Sequence, residues 1–208
     1  MSHSLFSIQN LTFLNCGPYS FTLSKGECVG IRGQSGIGKT QLFRAISDLI
    51  PSTGDVLLNG CRKDSVAPAM WRSNVTMLPT DSVWWYDDVM SHFASPQEKK
   101  FLKNMCSTLG LPEEIIHWQV NRLSTGEKQR LALIRSLQIK PSVLLLDEPT
   151  SALDGVNTQL VENVLSRLCR NEKLSLVWVS HDAEQLLRVS DRILMMDKTS
   201  LIERSVYT

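Results

Sequence analysis

Apolar positions first alternate with polar ones and later gather into continuous runs, and the change of pattern marks out the predicted elements. Strand-like segments come first, at 5–13, at 19–23, in the β-branched run 28–31, and at 55–58 before the Asn59-Gly60 turn. Between the last two, residues 39–50 place Leu42, Ile46, Leu49 and Ile50 at helical spacing and stop at Pro51. The predicted order there is strand, glycine-rich turn, helix. From 96 to 137 the chain reads as helical, with Phe101, Leu102, Met105 and Leu109 on one stripe and a break at Gly110-Leu111-Pro112. The second half alternates again: an apolar strand at 142–146, a helix at 156–169 with Leu160, Val161, Val164, Leu165 and Leu168 inward, and an apolar strand at 174–179. Continuous apolar strands separated by helices imply a parallel sheet covered on both faces. The expected fold is an α/β core with a β-rich flap at the start and a helical insertion in the middle.

Composition narrows the class. The chain has 208 residues, 42% hydrophobic and 21% charged, which suits one domain or two closely joined lobes and excludes disorder. With 22 Lys+Arg against 21 Asp+Glu the net charge is +1, so no global field favours nucleic acid or an anionic membrane surface, and any bound anion must be held locally. Cys16, Cys28, Cys61, Cys106 and Cys169 are odd in number and include no CxxC pair, which argues against a disulfide framework, a zinc site or a redox dithiol and fits a reduced, cytoplasmic setting. No apolar run approaches the roughly 18 residues needed to cross a bilayer, and the N-terminus lacks the basic start and apolar core of a secretion signal. No direct membrane insertion is therefore expected, and work at a membrane would pass through a partner.

Gly33-Gln34-Ser35-Gly36-Ile37-Gly38-Lys39-Thr40 matches G-x-x-x-x-G-K-[ST] between a predicted strand and a predicted helix, the context its mechanism requires. Its glycines let backbone N–H groups turn toward phosphate oxygens, and the helix N-terminus adds partial positive charge. Lys39 offers a point charge to β- and γ-phosphates, and the Thr40 hydroxyl is placed to ligate Mg²⁺. A carboxylate for that metal should end a buried strand, and Val143-Leu144-Leu145-Leu146-Asp147-Glu148 supplies it. Asp147 can hold a metal-bound water, and Glu148, one residue on, can polarise the attacking water.

With these motifs the sequence resembles the ATP-binding cassette (ABC) family over nearly its whole length. Leu123-Ser124-Thr125-Gly126-Glu127-Lys128-Gln129-Arg130 is similar to the family signature, LSGGQ followed by a basic helix. Asp147-Glu148-Pro149-Thr150 with Ser151-Ala152-Leu153-Asp154 resembles its extended Walker B motif and D-loop, and Ser180-His181-Asp182 its switch histidine. The resemblance implies a P-loop NTPase (RecA-like) core with an N-terminal antiparallel β subdomain and a central helical subdomain. As a single domain over 1–208, about 1–78 and 138–208 would form core and β subdomain, and about 79–137 the helical subdomain with the signature. It implies ATP and Mg²⁺ as cofactors, Glu148 as general base, and His181 holding the γ-phosphate and the water, with Lys39 completing the catalytic set. Gly33, Gln34, Ser35, Gly36, Ile37, Gly38, Lys39, Thr40 and Gln41 would cradle the nucleotide in one chain. Ser124, Gly126, Glu127 and Asp154 would reach the nucleotide of a second cassette packed head to tail, a homodimer or a different chain. Phe13 stands where the family often stacks an aromatic on adenine, with core packing as the rival reading.

The pattern also departs from the family. The Q-loop glutamine is expected to end the strand after the flap, but Asn74-Val75-Thr76-Met77-Leu78-Pro79-Thr80-Asp81 has Pro79 at that place and no glutamine nearby; Asp81 either replaces it at the metal or is a solvated loop carboxylate. Thr125 replaces a signature glycine and Glu127 its glutamine, which points to slower hydrolysis. Lys128 and Arg130 read as an exposed helix face without chemistry. Trp84 and Trp85 fall where transporter cassettes receive a short helix of the membrane subunit, and either anchor it or fill the interface between lobes. The resemblance thus implies the ATPase subunit of a transporter beneath a separate integral-membrane chain, peripheral at the inner face of the cell membrane, with no nucleic-acid partner and no further C-terminal domain after Thr208. A soluble ABC ATPase acting on nucleic acid or ribosomes is the alternative, but the stretch from Thr40 to Leu123 leaves no room for a long coiled coil, and one chain carries one cassette. A small-molecule P-loop kinase would lack the signature and the switch histidine.

Overall fold

The computed structural model describes residues 4–204; the expected domain ends, 1–3 and 205–208, lie outside the described residues. Two sheets organise the chain. The smaller is antiparallel, in the order β2 (Cys16–Leu23), β1 (Phe6–Phe13), β4 (Thr53–Leu58), β5 (Cys61–Arg62). The larger has the order β10 (Leu201–Arg204), β9 (Arg192–Met196), β3 (Cys28–Arg32), β8 (Ser175–Val179), β7 (Val143–Asp147), β6 (Val75–Leu78), parallel except for β10 at its edge. The helices are α1 (Lys39–Ile46), α2 (Pro68–Asn74), α3 (Pro96–Thr108), α4 (Thr125–Gln138), α5 (Gly155–Glu172) and α6 (Ala183–Val189). Among the described residues no helix is long and apolar enough to cross a membrane.

The unbroken apolar runs of β7 and β8 have the reason expected for them. Leu144, Leu146, Leu176 and Trp178 enter one core with α3, α4 and α5. Val143, Leu145, Val177 and Val179, pointing the opposite way, enter a second core with α1 and the antiparallel sheet. The middle segment is two helices, joined through short 3₁₀ turns at Glu113–His117 and Val120–Arg122. Helix α3 stops at the predicted break, where Gly110 adopts φ 65° and the Leu111 N–H returns to the Cys106 carbonyl.

Helix α1 ends four residues before the expected Ile50. Asp48 takes the left-handed conformation (φ 57°), its N–H bonds the Ala45 carbonyl, and the Leu49 N–H reaches back to Arg44. A helix stop of this type normally announces itself as glycine, so an aspartate there gave no signal. The same end is capped from outside: buried Trp71 donates Nε1–H to the Ile46 carbonyl at 2.8 Å, and buried Lys63 donates to the Ala45 carbonyl at 3.3 Å and to Ser52 Oγ at 3.1 Å. The helix that opens at the glycine-rich loop is therefore pinned at its far end by residues from the flap and α2.

Trp71→Phe keeps an aromatic ring but removes the indole N–H, which strands the Ile46 carbonyl, and part of the buried packing, so it should lower unfolding free energy by at least about 1–3 kcal/mol in urea denaturation. An unchanged midpoint would show that the bond contributes nothing to seating α1.

Candidate functional site

The carboxyl ends of β3, β7 and β8 lie side by side, with Ile31 and Asp147 both opposite Val179. The loops leaving these strands enclose a cleft of about 520 Å³ lined by Ser35, Gly36, Gly38, Lys39, Thr40, Gln41, Thr80, Asp147, Glu148, Ser151, Val179 and His181. The 33–38 loop is shaped by two glycine requirements. A Cβ on Gly33 would sit 2.6 Å from the Met196 carbonyl of β9, and Gly38, with φ 110°, precedes α1 with no side-chain cap. The first N–H groups of α1 are left for a ligand, with the helix dipole behind them. Lys39 is 7% exposed, and its ammonium donates to the carbonyls of Gly33 (2.8 Å) and Gln34 (2.9 Å). Burial lowers its pKa below that of an ordinary lysine, against the opposing pull of Glu148 and Asp147.

Facing this loop, the Thr40 hydroxyl donates to Asp147 Oδ2 at 2.8 Å, and Asp147 is 3% exposed. These are the two residues expected to hold Mg²⁺, and their oxygens converge on one point. No cluster of three or more metal-binding side chains exists among the described residues. A two-oxygen protein site suits an ion that takes its remaining ligands from phosphate and water, as Mg²⁺ does. Beyond Asp147, the Glu148 carboxylate lies 3.4 Å from His181 Nε2, and its Oε1 is buried with no hydrogen-bond partner among the described residues. Burial raises its pKa, more than His181 and Lys39 lower it. A half-buried carboxylate beside an exposed imidazole and a lysine, with its pKa raised, has the placement and basicity of a proton acceptor.

Several expectations are corrected. Phe13 is 2% exposed and packs on Tyr19 (ring centroids 5.6 Å apart) in the core of the antiparallel sheet, so its faces are used in packing and do not await an adenine; Leu14, 74% exposed, is the apolar residue in the open at that turn. Neither Pro79 nor Asp81 lines the cleft. Thr80 does, and its hydroxyl donates to the Asp147 carbonyl at 3.1 Å. A search for a glutamine passes over a threonine whose one contact is a main-chain oxygen. The Gln34 carbonyl accepts from Lys39 and the Ile37 side chain packs against the core, so any part these two take in the cradle falls to their main-chain N–H groups. Arg130 is buried, not on an exposed face: it donates to the carbonyls of Leu109 and Gly110 and to Asn157 Oδ1, tying α4 to the end of α3 and to α5.

Ser124, Gly126, Glu127 and Asp154 lie outside the cleft. Ser124 and Glu127 form a reciprocal capping box at the start of α4, in which Glu127 N–H donates to Ser124 Oγ (3.3 Å) and Ser124 N–H to Glu127 Oε2 (2.8 Å). That is a local reason for glutamate at this place. Asp154 caps α5, accepting from the Asn157 N–H at 2.8 Å.

A second hollow, of about 340 Å³, opens between β6 and α4 and is lined in part by Pro79, Trp85, His92, Arg135 and Ile139. The Arg135 guanidinium lies between the two indoles, 4.6 Å from Trp84 and 4.5 Å from Trp85. The two readings of the tryptophan pair divide between the rings: Trp84 is half-buried against the helical core, and Trp85 is 61% exposed. Beneath them, buried His92 accepts the N–H groups of Trp85 and Tyr86 at Nε2 (3.2 Å each), with Nδ1 3.0 Å from the Asp88 carbonyl. This geometry needs neutral imidazole with its proton on Nδ1. Burial lowers the His92 pKa, and Arg135 acts in the same direction, while the Asp88 carbonyl and carboxylate oppose them.

Comparison with known proteins places these features. A family model described as ABC transporter matches residues 16–151, more than half of the chain. The chain is 32% identical over 195 residues to the probable iron export ATP-binding protein FetA of Escherichia coli, covering 88% of this chain and 87% of that protein. It is 35% identical to Protein STAR1 of rice, covering 86% of this chain and 54% of that protein, and 34% identical to the bicarbonate transport ATP-binding protein CmpC of Synechocystis, covering 84% of this chain and 27% of the relative. It thus spans about half or less of those two relatives. Among solved structures, a bacterial Atm1-family ABC exporter with ATP bound superposes with TM-score 0.81 at 25% identity, over 95% of this chain and 38% of that one. A dimeric bacterial ABC transporter cassette has the same fold, with TM-score 0.85 at 21% identity over 98% of this chain and 99% of that one.

The neutral form of His92 is the one the fold selects, so its contribution to stability is complete above the ordinary histidine pKa of 6.5 and is lost as pH falls through its lowered folded value. Between about pH 7 and pH 5, the urea midpoint of the native chain should therefore fall further than that of His92→Phe, which has no imidazole to protonate. Equal losses in the two proteins would separate His92 from the acid sensitivity.

Proposed function

The chain belongs to the ABC transporter family as an ATP-binding, ATP-hydrolysing cassette, and from that premise we propose that it powers a membrane transporter by closing head to tail on a second cassette around ATP. The observation that carries this reading is the division of the motif residues. Lys39, Thr40, Asp147, Glu148 and His181 meet at one cleft, while Ser124, Gly126 and Asp154 of the same chain lie outside it. A site completed by a second copy needs that separation. Two lobes follow, with 1–78 and 138–208 as core and β subdomain and 79–137 as helical subdomain.

In this reading Lys39 and the unused N–H groups of α1 hold the β- and γ-phosphates. Thr40 and Asp147 would hold Mg²⁺, which when bound would supply positive charge against the charge that develops on the phosphoryl oxygens. Glu148, its pKa raised by burial, takes the proton of the attacking water. His181, 3.4 Å from Glu148 and well exposed, steadies the γ-phosphate from the open side. Ser124 Oγ now donates to Glu127 Oε2 at 2.8 Å. On closure its proton turns to the partner's γ-phosphate, while Oγ continues to accept the Glu127 N–H and keeps α4 capped. Loss of the γ-phosphate then removes the contacts that hold the two copies together.

The hollow beside Trp85 is the seat for the separate integral-membrane subunit, which places the cassette at the cytoplasmic face of the membrane. The exposed indole and the apolar floor supply an anchor, and Arg135 supplies a donor: its Nη1 is buried without a partner among the described residues. The net charge of +1 gives no global field that would favour nucleic acid.

Glu148→Gln should leave ATP affinity intact, cut hydrolysis by about 10²–10⁴-fold, and yield a dimer on size exclusion only when ATP is present. A variant hydrolysing at the native rate would remove Glu148 from the role of base. Trp85→Ala should release the chain from membranes carrying its partner while its melting temperature stays close to native, because the ring is 61% exposed. A large drop in melting temperature instead would assign the ring to the fold.

A further inference from the structure

Glu148 is the one cleft carboxylate whose own backbone is held in an unfavourable conformation. Its φ is 52°, in the left-handed region that a residue bearing a Cβ enters at a cost of about 1–2 kcal/mol. Such a residue stays there only when its surroundings over-determine it. On one side its N–H donates to the Val179 carbonyl at 3.1 Å. On the other its carbonyl accepts from the Ser151 N–H at 3.2 Å and from the Nε2 of Gln129 at 2.9 Å.

Gln129 is 6% exposed and projects from α4, the helix that opens at Ser124. Besides the Glu148 carbonyl, its Nε2 reaches Ser151 Oγ at 3.3 Å, and its Oε1 accepts the Ala152 N–H at 3.2 Å. The partners fix the amide's orientation, since a flipped amide would set its NH₂ against the Ala152 N–H and its oxygen against the Glu148 carbonyl. One side chain therefore bonds both the strained peptide after Glu148 and the turn that follows it. Close by, a Cβ on Gly126 would lie 3.0 Å from the Ala152 carbonyl, so α4 and that turn are in contact at two successive places.

We infer that Gln129 is a positioning residue for Glu148: it holds the left-handed peptide that aims the carboxylate into the phosphate cleft. It thereby makes the placement of the base in one site depend on α4, whose N-terminus serves the other site. This rests on the reading of Glu148 as general base. Without the amide, the Glu148 peptide relaxes toward the ordinary region of backbone space and the carboxylate leaves its place beside His181. The phosphate cradle, built by Lys39, Thr40 and the start of α1, does not touch Gln129 and is left as it was.

The test is steady-state MgATP hydrolysis by the full chain, native and carrying Gln129→Leu, Gln129→Glu, Glu148→Gln or Glu148→Gln with Gln129→Leu. Gln129→Glu preserves volume and an acceptor for Ala152 but faces a carboxylate to the Glu148 carbonyl, so it reports even if Gln129→Leu folds poorly. Both Gln129 variants should lower kcat by about a hundredfold, the scale of a misplaced catalytic group, with KM for ATP little changed. In the Glu148→Gln background, Gln129→Leu should bring no further loss of rate, because the two act through one group. Native kcat in Gln129→Glu, a fall in rate explained by KM, or full additivity with Glu148→Gln would overturn the positioning role. Native rates in Glu148→Gln alone would instead overturn the general-base reading, whatever Gln129 does.

Discussion

The cleft is organised around a lysine whose side chain is buried up to the ammonium group that lines it. Lys39 bonds two carbonyls of its own loop rather than a carboxylate, and the charges that favour it, on Asp147 and Glu148, stand off across the cleft. A buried charge without compensation is costly, so the loop must wrap its lysine with oriented dipoles. That requirement explains the close approach of Gly33 to Met196, the left-handed turn at Gly38, and the external capping that keeps α1 in place. An anion entering the cleft meets a positive charge that is partly desolvated and already aimed, the preorganised condition in which electrostatics are most effective.

The two cores divide the labour that follows from this. The core between the sheets holds β3, α1 and the loop as one block. The other holds α3, α4 and α5 against the opposite face of the parallel sheet and carries the Ser124 capping box and the hollow of Trp85. At the cleft, Gln129 of α4 bonds the carbonyl of Glu148 and the turn after it. Chemistry at the phosphates and movement of the helical part thus share this connection.

Much of this was legible in the amino-acid order, because the physics involved is local or periodic. The apolar runs of β7 and β8 could only be strands with both faces covered, and the residues of the phosphate loop sit between strand and helix where their backbone geometry is useful. What escaped depends on partners distant in sequence. Arg130 looks like a solvated helix residue until the carbonyls at the end of α3 are brought to it, and Thr80 acquires meaning only beside Asp147. His92 carries no pattern, and Gln129 stands in the signature stretch without a sign of its role, since each is defined by main-chain groups it meets. Phe13 follows Leu11 at the two-residue spacing of one strand face, which already favoured the core, but the irregular register of β1 near Leu11 obscures that alternation.

Helix α4 touches three different things along one rigid rod. Ser124 stands at its beginning, Gln129 bonds the turn after β7 from its second turn, and Arg135 lies between the tryptophans near its end. The distance from Ser124 to Arg135 is about 16 Å at the helical rise and Gln129 stands near its middle, so a tilt of about 10° about Gln129 displaces Ser124 by about 1.3 Å. Such a displacement exceeds the tolerance of a hydrogen bond. The helix is in this sense a beam on a fulcrum, with Gln129 at the pivot, and a push delivered at Trp85 reaches the opposite end by leverage alone, without any side chain along the way changing rotamer.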